Sequence, residues 1–415
     1  MTRWAVIADD LTGALDTALQ FRKHGYQAIV STQSGKWPCT AGEAAISAMS
    51  TASRHVCHAD AYTAVQQAVR SRPLSTRTSI FKKTDSLLRG NIGPELQAAL
   101  DSTGAATMIY APAFPSGGRK TESGTLSLWG TPVTHGAAGH DPTTPPRESH
   151  IPTLIESTSD LHCRVIPSNV VQSGTSTLAR AFSAARDANV QVVLPDVSAD
   201  RELHVVAAAM SKADLTSVCA GSAGLAEALA RRGNISVHPE PSVHPASHVL
   251  AIIGTPISHT QQQVAHALRA VSVATISLQP GRAAIAQALS AVHSAWSANQ
   301  VALVDAVIPS VEPSPAQRSA REAQIVEFTA AVDRDSTDIG LVISGGDTAR
   351  AAFDGFDGES IELAGEIGWG VPYGVLTSRR SLAQPVVTKA GLMGGPTALA
   401  DAFKRIWSSL DAEAP

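Results

Sequence analysis

Charge and aromatic side chains are both scarce in this sequence. Of 415 residues only 16% are charged and 4% aromatic, against 44% hydrophobic. A net charge of −4 with no long basic run argues against nucleic acid or an anionic membrane as the main partner. Cysteine is also rare. Cys39, Cys57, Cys163 and Cys219 lie far apart without CxxC spacing, so neither a disulfide framework nor a zinc template is expected. No apolar run is long enough to span a bilayer, and the N-terminus passes directly into a strand. The expectation is a reduced, cytoplasmic protein.

What is present is length and alternation. At 415 residues the chain should hold two or three domains. Trp4–Ala8 reads as a strand stopped by Asp9-Asp10, and Leu11, Ala14, Leu15, Ala18 and Leu19 then recur at helical spacing. Strands at Gln27–Ser31, Ser79–Lys82 and Thr107–Ala111 continue the pattern, with helices near Ala61–Arg70 and Gly93–Leu100. Such alternation implies a parallel sheet with helices on both faces. Pro112–Ile151, rich in Gly, Pro, Thr and His, reads as a long loop before the alternation resumes. Its His135, His140-Asp141 and Arg147–His150 fit no zinc spacing; hydrogen bonding and subunit contact are expected of them, and a homodimer is left open. Gly233–His248 carries three prolines and no periodicity and reads as a linker. The predicted architecture is α/β in two domains, residues 1–235 and 248–415 joined by 236–247. Each has a mainly parallel sheet flanked by helices, and the active site is expected in the interdomain cleft.

The organising stretch is GLVISGGDTAR, Gly340–Arg350. Leu341–Ile343 is a short apolar run of the kind a buried parallel strand shows. Ser344, Gly345 and Gly346 break it, and Asp347 or Thr348 could cap a helix starting near Ala349. A strand, a glycine turn and a helix start gather unpaired N–H groups and a positive dipole end, which is an anion site. Gly254-Thr255 and Lys389–Gly395 (KAGLMGG) are two further small-residue turns after strands of the same domain. Three together indicate a nucleotide cradle. No G-x-x-x-x-G-K-[ST] or G-x-G-x-x-G occurs, so Walker-type NTPase and dinucleotide dehydrogenase readings are disfavoured. Gly365–Gly374 is expected to be a loop, and Gly395–Ser408 a closing helix with Pro396 near its first turn.

Two polar motifs end strands of the first domain. In Asp9-Asp10-Leu11-Thr12-Gly13, Asp9 could hydrogen-bond substrate hydroxyls while Asp10 or Thr12 caps the helix. In Lys82-Lys83-Thr84-Asp85-Ser86-Leu87-Leu88-Arg89-Gly90, cations beside Thr, Asp and Ser could hold a carboxylate or phosphate and align a hydroxyl. Asp85 is a candidate general base or orienting group, and Arg54 a candidate carboxylate clamp.

ADDLTGA (8–14), KKTDSLLRG (82–90), APAFP followed by GGR (111–119), DPTTPPRESHIPTL (141–154) and the late GGDTA occur in this order. Together they resemble the four-carbon acid sugar kinases, or tetronate kinases, over about residues 4–407. The resemblance implies an N-terminal acid-sugar domain and a C-terminal nucleotide domain. It further implies transfer of the γ-phosphate of ATP, with Mg²⁺, to the terminal hydroxyl of threonate, erythronate or a 3-oxo-tetronate. Carried over by position, Asp9, Arg54, Lys82, Lys83, Thr84 and Asp85 are similar to the acid-sugar contacts, and Asp10 and Arg89 beside them are further candidate substrate-binding residues. Gly345, Gly346, Asp347, Thr348 and Gly391 are similar to the ATP contacts, and Thr255, which still offers a hydroxyl, is a further candidate nucleotide-binding residue. Asp85 or Asp347 would take the hydroxyl proton, and the metal ligands are left unassigned. This chain departs from the family at Ala390–Gly394, where Ser-Gly-Gly-Phe-Gly is frequent, and at Gly254–Ile257, where a GSxS-like turn is usual. The rival readings are a metal-dependent sugar-phosphate phosphatase, which would need D-x-D where this chain has adjacent aspartates, and a non-catalytic acid-sugar-binding protein.

Overall fold

A computed structural model describes residues 3–39, 46–72, 78–136, 139, 145–233, 237–308, 313–335, 338–380 and 383–408. The chain forms two compact units, Met1–Ala28 with Ser34–His238, and Ile29–Gln33 with Pro239–Pro415. The second unit therefore includes a short segment from the N-terminal part of the chain as well as everything after His238. Of the expected linker, residues 234–236 lie outside the described residues, as do His140 and Asp141.

The first unit runs β1 (Arg3–Ala8), α1 (Leu11–Arg22), β2 (Ala28–Ser31), β3 (Ile46–Ser50), α2 (His58–Arg70), β4 (Thr78–Lys83), α3 (Ile92–Thr103) and β5 (Met108–Ala111). Of these, β2 belongs to the sheet of the second unit. A small antiparallel sheet follows, β6 (Arg119–Glu122), β7 (Thr125–Leu128) and β8 (Thr131–Pro132). Then come α4 (Ile151–Glu156), β9 (Cys163–Ile166), α5 (Ser168–Gln172), α6 (Thr175–Asp187), β10 (Val192–Pro195), α7 (Asp200–Lys212), β11 (Val218–Gly221) and α8 (Ala223–Arg232). The main strands lie in the order β3-β1-β4-β11-β5-β10-β9, and the pairs between them run parallel. Their register sets the site. Ser50, Ala8, Lys83, Gly221 and Ala111 stand in one row, so the residues after each strand emerge at one carboxyl edge.

In the second unit β12 (His248–Ile253), α9 (Ser258–Ala270), β13 (Val273–Ser277), α10 (Arg282–Ser297), β14 (Val301–Asp305), α11 (Pro315–Asp335), β15 (Ile339–Ser344) and α12 (Gly346–Gly355) alternate. The chain continues through β16 (Gly358–Gly368), β17 (Val371–Ser378), β18 (Gln384–Lys389) and α13 (Ala398–Ile406). The order is β13-β14-β12-β15-β18-β17-β16-β2, parallel through β18 and antiparallel beyond it. Here too the strand ends align, Ile253 beside Ser344 beside Lys389. The apolar strand runs are buried on both faces, as a helix-covered parallel sheet requires.

The α/β reading holds, with mainly parallel strands flanked by helices in each unit. Three local expectations do not. Gly365–Gly374 is not a loop: β16 and β17 form an antiparallel hairpin turned at Gly370 (φ 71°), with the register shifted beside Gly365 and Gly368. Its glycines mark bulges, while Ile361, Leu363, Val371 and Leu376 are buried. The last helix starts at Ala398, so Pro396 lies before it rather than in its first turn. Within Pro112–Ile151, the three strands of the small sheet occupy 119–132.

Candidate functional site

Two polar clusters stand at the carboxyl edges of the sheets, one in each unit. In the first, β1 ends in Asp9, whose side chain is 2% exposed. Asp10 caps α1, its Oδ1 accepting from the Gly13 N–H at 2.7 Å, so the cap is Asp10 and not Thr12. Arg54, from the turn after β3, donates through Nε to Asp9 Oδ2 at 2.7 Å and through Nη1 to Asp10 Oδ2 at 2.7 Å. Its Nη2 lies 3.3 Å from Asp85 Oδ1. One guanidinium thus spaces three carboxylates, and they hold its proton more tightly than usual.

Asp85 leads the turn after β4. It accepts from the Leu87 and Arg89 N–H groups at 3.1 and 3.3 Å, and Arg89 grips it bidentately at 2.9 and 2.8 Å. Burial alone would raise its pKa, but Arg89, Arg54 and Lys83 hold it well below the usual aspartate range. The same turn places Leu88 in the left-handed region (φ 61°), a conformation that persists only where the surroundings impose it. Lys82 is fully buried and pairs with Glu95 of α3 at 2.8 Å, while Ser53 donates to the same carboxylate. Lys83 donates to the Thr84 carbonyl at 2.8 Å. Gly13 is required here: a Cβ on it would meet Asp10 Oδ1 at 2.7 Å and Lys83 Nζ at 3.2 Å.

One acceptor in this network is unspent. Asp9 Oδ1 is buried and has no hydrogen-bond partner among the described residues; burial by itself would raise its pKa, but Arg54, Lys82 and Lys83 outweigh that and hold it below the ordinary aspartate value. A buried carboxylate oxygen without a donor suits a substrate hydroxyl. The structure brings Asp9, Asp10, Arg54, Lys82, Lys83, Thr84, Asp85 and Arg89 to one edge. Ser53 and Glu95 belong to the network too, but nothing in the sequence connects Glu95 to Lys82. Only the packing of α3 on the sheet does.

In the second unit the three small-residue turns converge. β15 passes into α12 through Gly345 (φ 112°), which is the N-cap; no side chain caps this helix, neither Asp347 nor Thr348. Gly346 is already helical and Asp347 is exposed in the first turn. A Cβ on Gly254 would lie 1.7 Å from Thr348 Oγ1, and one on Gly391 would lie 2.9 Å from Thr255 Oγ1 and 2.6 Å from Ile257 Cδ1. The backbones of all three turns can approach each other only because these side chains are missing. Thr260 ties α9 to the third turn by donating to the Gly391 carbonyl at 2.8 Å. Gln263 donates to the carbonyls of Met393, Gly394 and Gly395. The altered 390–394 loop is therefore held in place.

Lys389 stands in the middle of this cradle and is 3% exposed. Its Nζ meets two hydroxyls, Thr260 Oγ1 at 3.0 Å and Ser344 Oγ at 3.3 Å. Burial pushes its pKa down to about 8. An ammonium in this setting calls for an anion. The sequence placed Lys389 at the head of the loop but not among the nucleotide contacts; that no carboxylate pairs with it among the described residues is a tertiary property. Among the described residues no group of three His, Cys, Asp or Glu could hold a metal ion, and no helix is long and apolar enough to cross a membrane.

Known proteins agree with this division of labour. Residues 4–229 match a family model described as a sugar-binding N-terminal domain, and residues 250–399 one described as a nucleotide-binding C-terminal domain. The chain is 32% identical to a D-threonate kinase of Bordetella bronchiseptica over 417 residues, covering 97% of this chain and 96% of that protein. It is 27% identical to a D-erythronate kinase of Heliobacterium modesticaldum, covering 96% and 95%. A crystal structure from Salmonella typhimurium LT2 shares the fold at a TM-score of 0.80 with 20% identity, covering 98% of this chain and 100% of that one. By these two family matches the chain is an α/β protein with a sugar-binding and a nucleotide-binding domain. The chain belongs to the four-carbon acid sugar kinase family.

Proposed function

We propose that this protein transfers the γ-phosphate of ATP to the terminal hydroxyl of a four-carbon acid sugar such as threonate or erythronate. The observation that carries this is the pairing within one chain of two unlike anion-handling sites. One is a glycine-lined cradle around a buried lysine with no carboxylate partner among the described residues, and the other a carboxylate–cation cluster with a vacant acceptor at Asp9. The near-full-length similarity to named threonate and erythronate kinases supports it.

Phosphoryl transfer depends on positioning and charge neutralisation more than on covalent chemistry. Asp9 Oδ1 would accept a sugar hydroxyl, with Arg54 fixing its orientation. Glu95, paired with Lys82, accepts a hydrogen bond from Ser53, the residue before Arg54. Asp85, saturated by donors and held ionised, is suited to orienting the substrate rather than storing its proton. Asp347 is the carboxylate beside the nucleotide turn, so it is the candidate proton acceptor and the candidate ligand for Mg²⁺. Mg²⁺ takes only one or two protein carboxylates when phosphates supply the rest. When bound it would neutralise charge on the phosphates. The Gly254, Gly345 and Gly391 turns with Thr255 and Thr348 would hold the phosphates, and Lys389 would neutralise them. A cytoplasmic location fits a substrate pair of this kind.

ADP formation across a panel of four-carbon acids, with the product's phosphate located by phosphorus NMR, tests the reading. Transfer to the terminal oxygen of a tetronate is expected. Phosphate release from sugar phosphates without ATP would favour the phosphatase instead. Tight acid binding without nucleotide binding would favour a sensor.

A further inference from the structure

Arg119, at the start of β6, takes no part in the cluster described above, yet its side chain is directed to the same edge. Its backbone is clamped to Phe114 by two reciprocal hydrogen bonds, of 2.8 and 3.0 Å. Two residues on, Thr121 docks at the carboxyl end of β10, donating its N–H to the Val197 carbonyl at 2.9 Å and accepting the Val197 N–H at 2.8 Å. Burial alternates along β6: Arg119 and Thr121 are buried, Lys120 and Glu122 exposed. The inward face of this strand therefore lies on the edge that carries Asp9 and Asp85.

The guanidinium is poorly provided for. Arg119 is 7% exposed, and its Nη1 donates to the Gly117 carbonyl at 2.5 Å. Its Nε–H is buried without a partner among the described residues. Among the described residues no carboxylate forms an ion pair with it, although Asp85 and Asp16 are within electrostatic reach. Burial accordingly weakens its hold on the proton. The neighbouring cations differ. Arg54 is shared by Asp9, Asp10 and Asp85, Arg89 is bidentate on Asp85, and Lys82 is paired with Glu95. A buried cation without a counter-ion is costly to keep unless a ligand supplies the charge. A free Nε–H beside a terminal N–H is the side-on fork that a carboxylate fits.

We propose that Arg119 receives the carboxylate of the sugar acid through Nε–H and a terminal N–H, and so makes the site select the acid over its neutral analogues. This rests on the acid-sugar reading above. Asp9 then takes a hydroxyl, Arg119 takes the acid end, and the terminal hydroxyl is left for the phosphate.

The test compares the wild type, R119Q and R119K on a tetronate that the wild type phosphorylates and on its primary amide, which keeps the hydroxyls and loses the charge. For R119Q, kcat/KM for the acid should fall about 10- to 100-fold, as expected for one or two charge-assisted hydrogen bonds, mostly through KM. Turnover of the amide and the KM for ATP should stay near wild type, so the acid-over-amide preference collapses. R119K should restore part of the preference, since it returns the charge without the fork. An R119Q enzyme that keeps the wild-type preference, or loses acid and amide turnover equally, overturns the role of Arg119 while leaving the kinase reading intact. A folded wild type that phosphorylates no four-carbon acid overturns that reading, and this inference with it.

Discussion

Replacing Lys389 with methionine should make the unliganded protein more stable while disabling nucleotide binding. The side chain is 3% exposed and its pKa falls from 10.5 to about 8. The sign follows from linkage. The unfolded chain binds this proton more tightly than the folded one, so stability rises as pH climbs from about 8 through 10.5 and is reduced below that window. At neutral pH the cost is roughly 3 kcal/mol. Methionine cannot protonate and has similar length, so it removes that cost. It also forfeits the hydrogen bonds to Thr260 and Ser344, worth about 1 kcal/mol each. The net expectation is a gain of about 1 kcal/mol, or a rise of roughly 2–4 °C in the melting of the second unit. ADP affinity should drop by about 100-fold, the loss of one charge-assisted phosphate contact of roughly 3 kcal/mol. Differential scanning calorimetry of ligand-free protein and titration calorimetry with ADP read the two effects separately. Wild-type binding near pH 8.5, repeated in buffers of different ionisation enthalpy, should also show proton uptake that Lys389→Met abolishes, because phosphate restores the ammonium. A variant that melts below wild type and binds ADP normally would refute the argument.

Two further outcomes follow from the geometry. Gly254→Ala drives a methyl to within 1.7 Å of Thr348 Oγ1, so the first and second turns must separate. ADP affinity should fall tenfold or more (about 1.4 kcal/mol), with tetronate affinity unchanged by calorimetry. Asp85→Asn should remove most activity and destabilise the first unit by about 3 kcal/mol, because Arg54 and Arg89 lose a buried partner. Asp9 and Asp85 both have pKa values below the ordinary 3.8, so their stabilisation is present above that value and is lost as pH falls through their folded values. Circular-dichroism acid titration should therefore show a shallower loss below pH 3.8 for Asp85→Asn than for wild type. Equal slopes would remove Asp85 from the acid transition.

The alternation of strands and helices, and the points where strands end in chemistry, could be read from local patterning alone. These are local properties: apolar runs such as Leu341–Ile343 need burial, and glycines or aspartates directly after them mark the turns. Asp9-Asp10, Lys82–Arg89 and Gly345–Thr348 were legible for that reason. The hairpin of β16 and β17 was not, because its glycines are bulges set by pairing with a neighbouring strand. The assignment of β2 to the second unit was not either, since four apolar residues do not name their partner. Which charges cancel is a matter of three-dimensional packing. Glu95 neutralises Lys82 across α3 and Arg54 is shared by three carboxylates, whereas Lys389 and Arg119 are buried without a carboxylate among the described residues. Ion pairing depends on separations of a few ångströms between residues far apart in the chain, and periodicity carries no information about those.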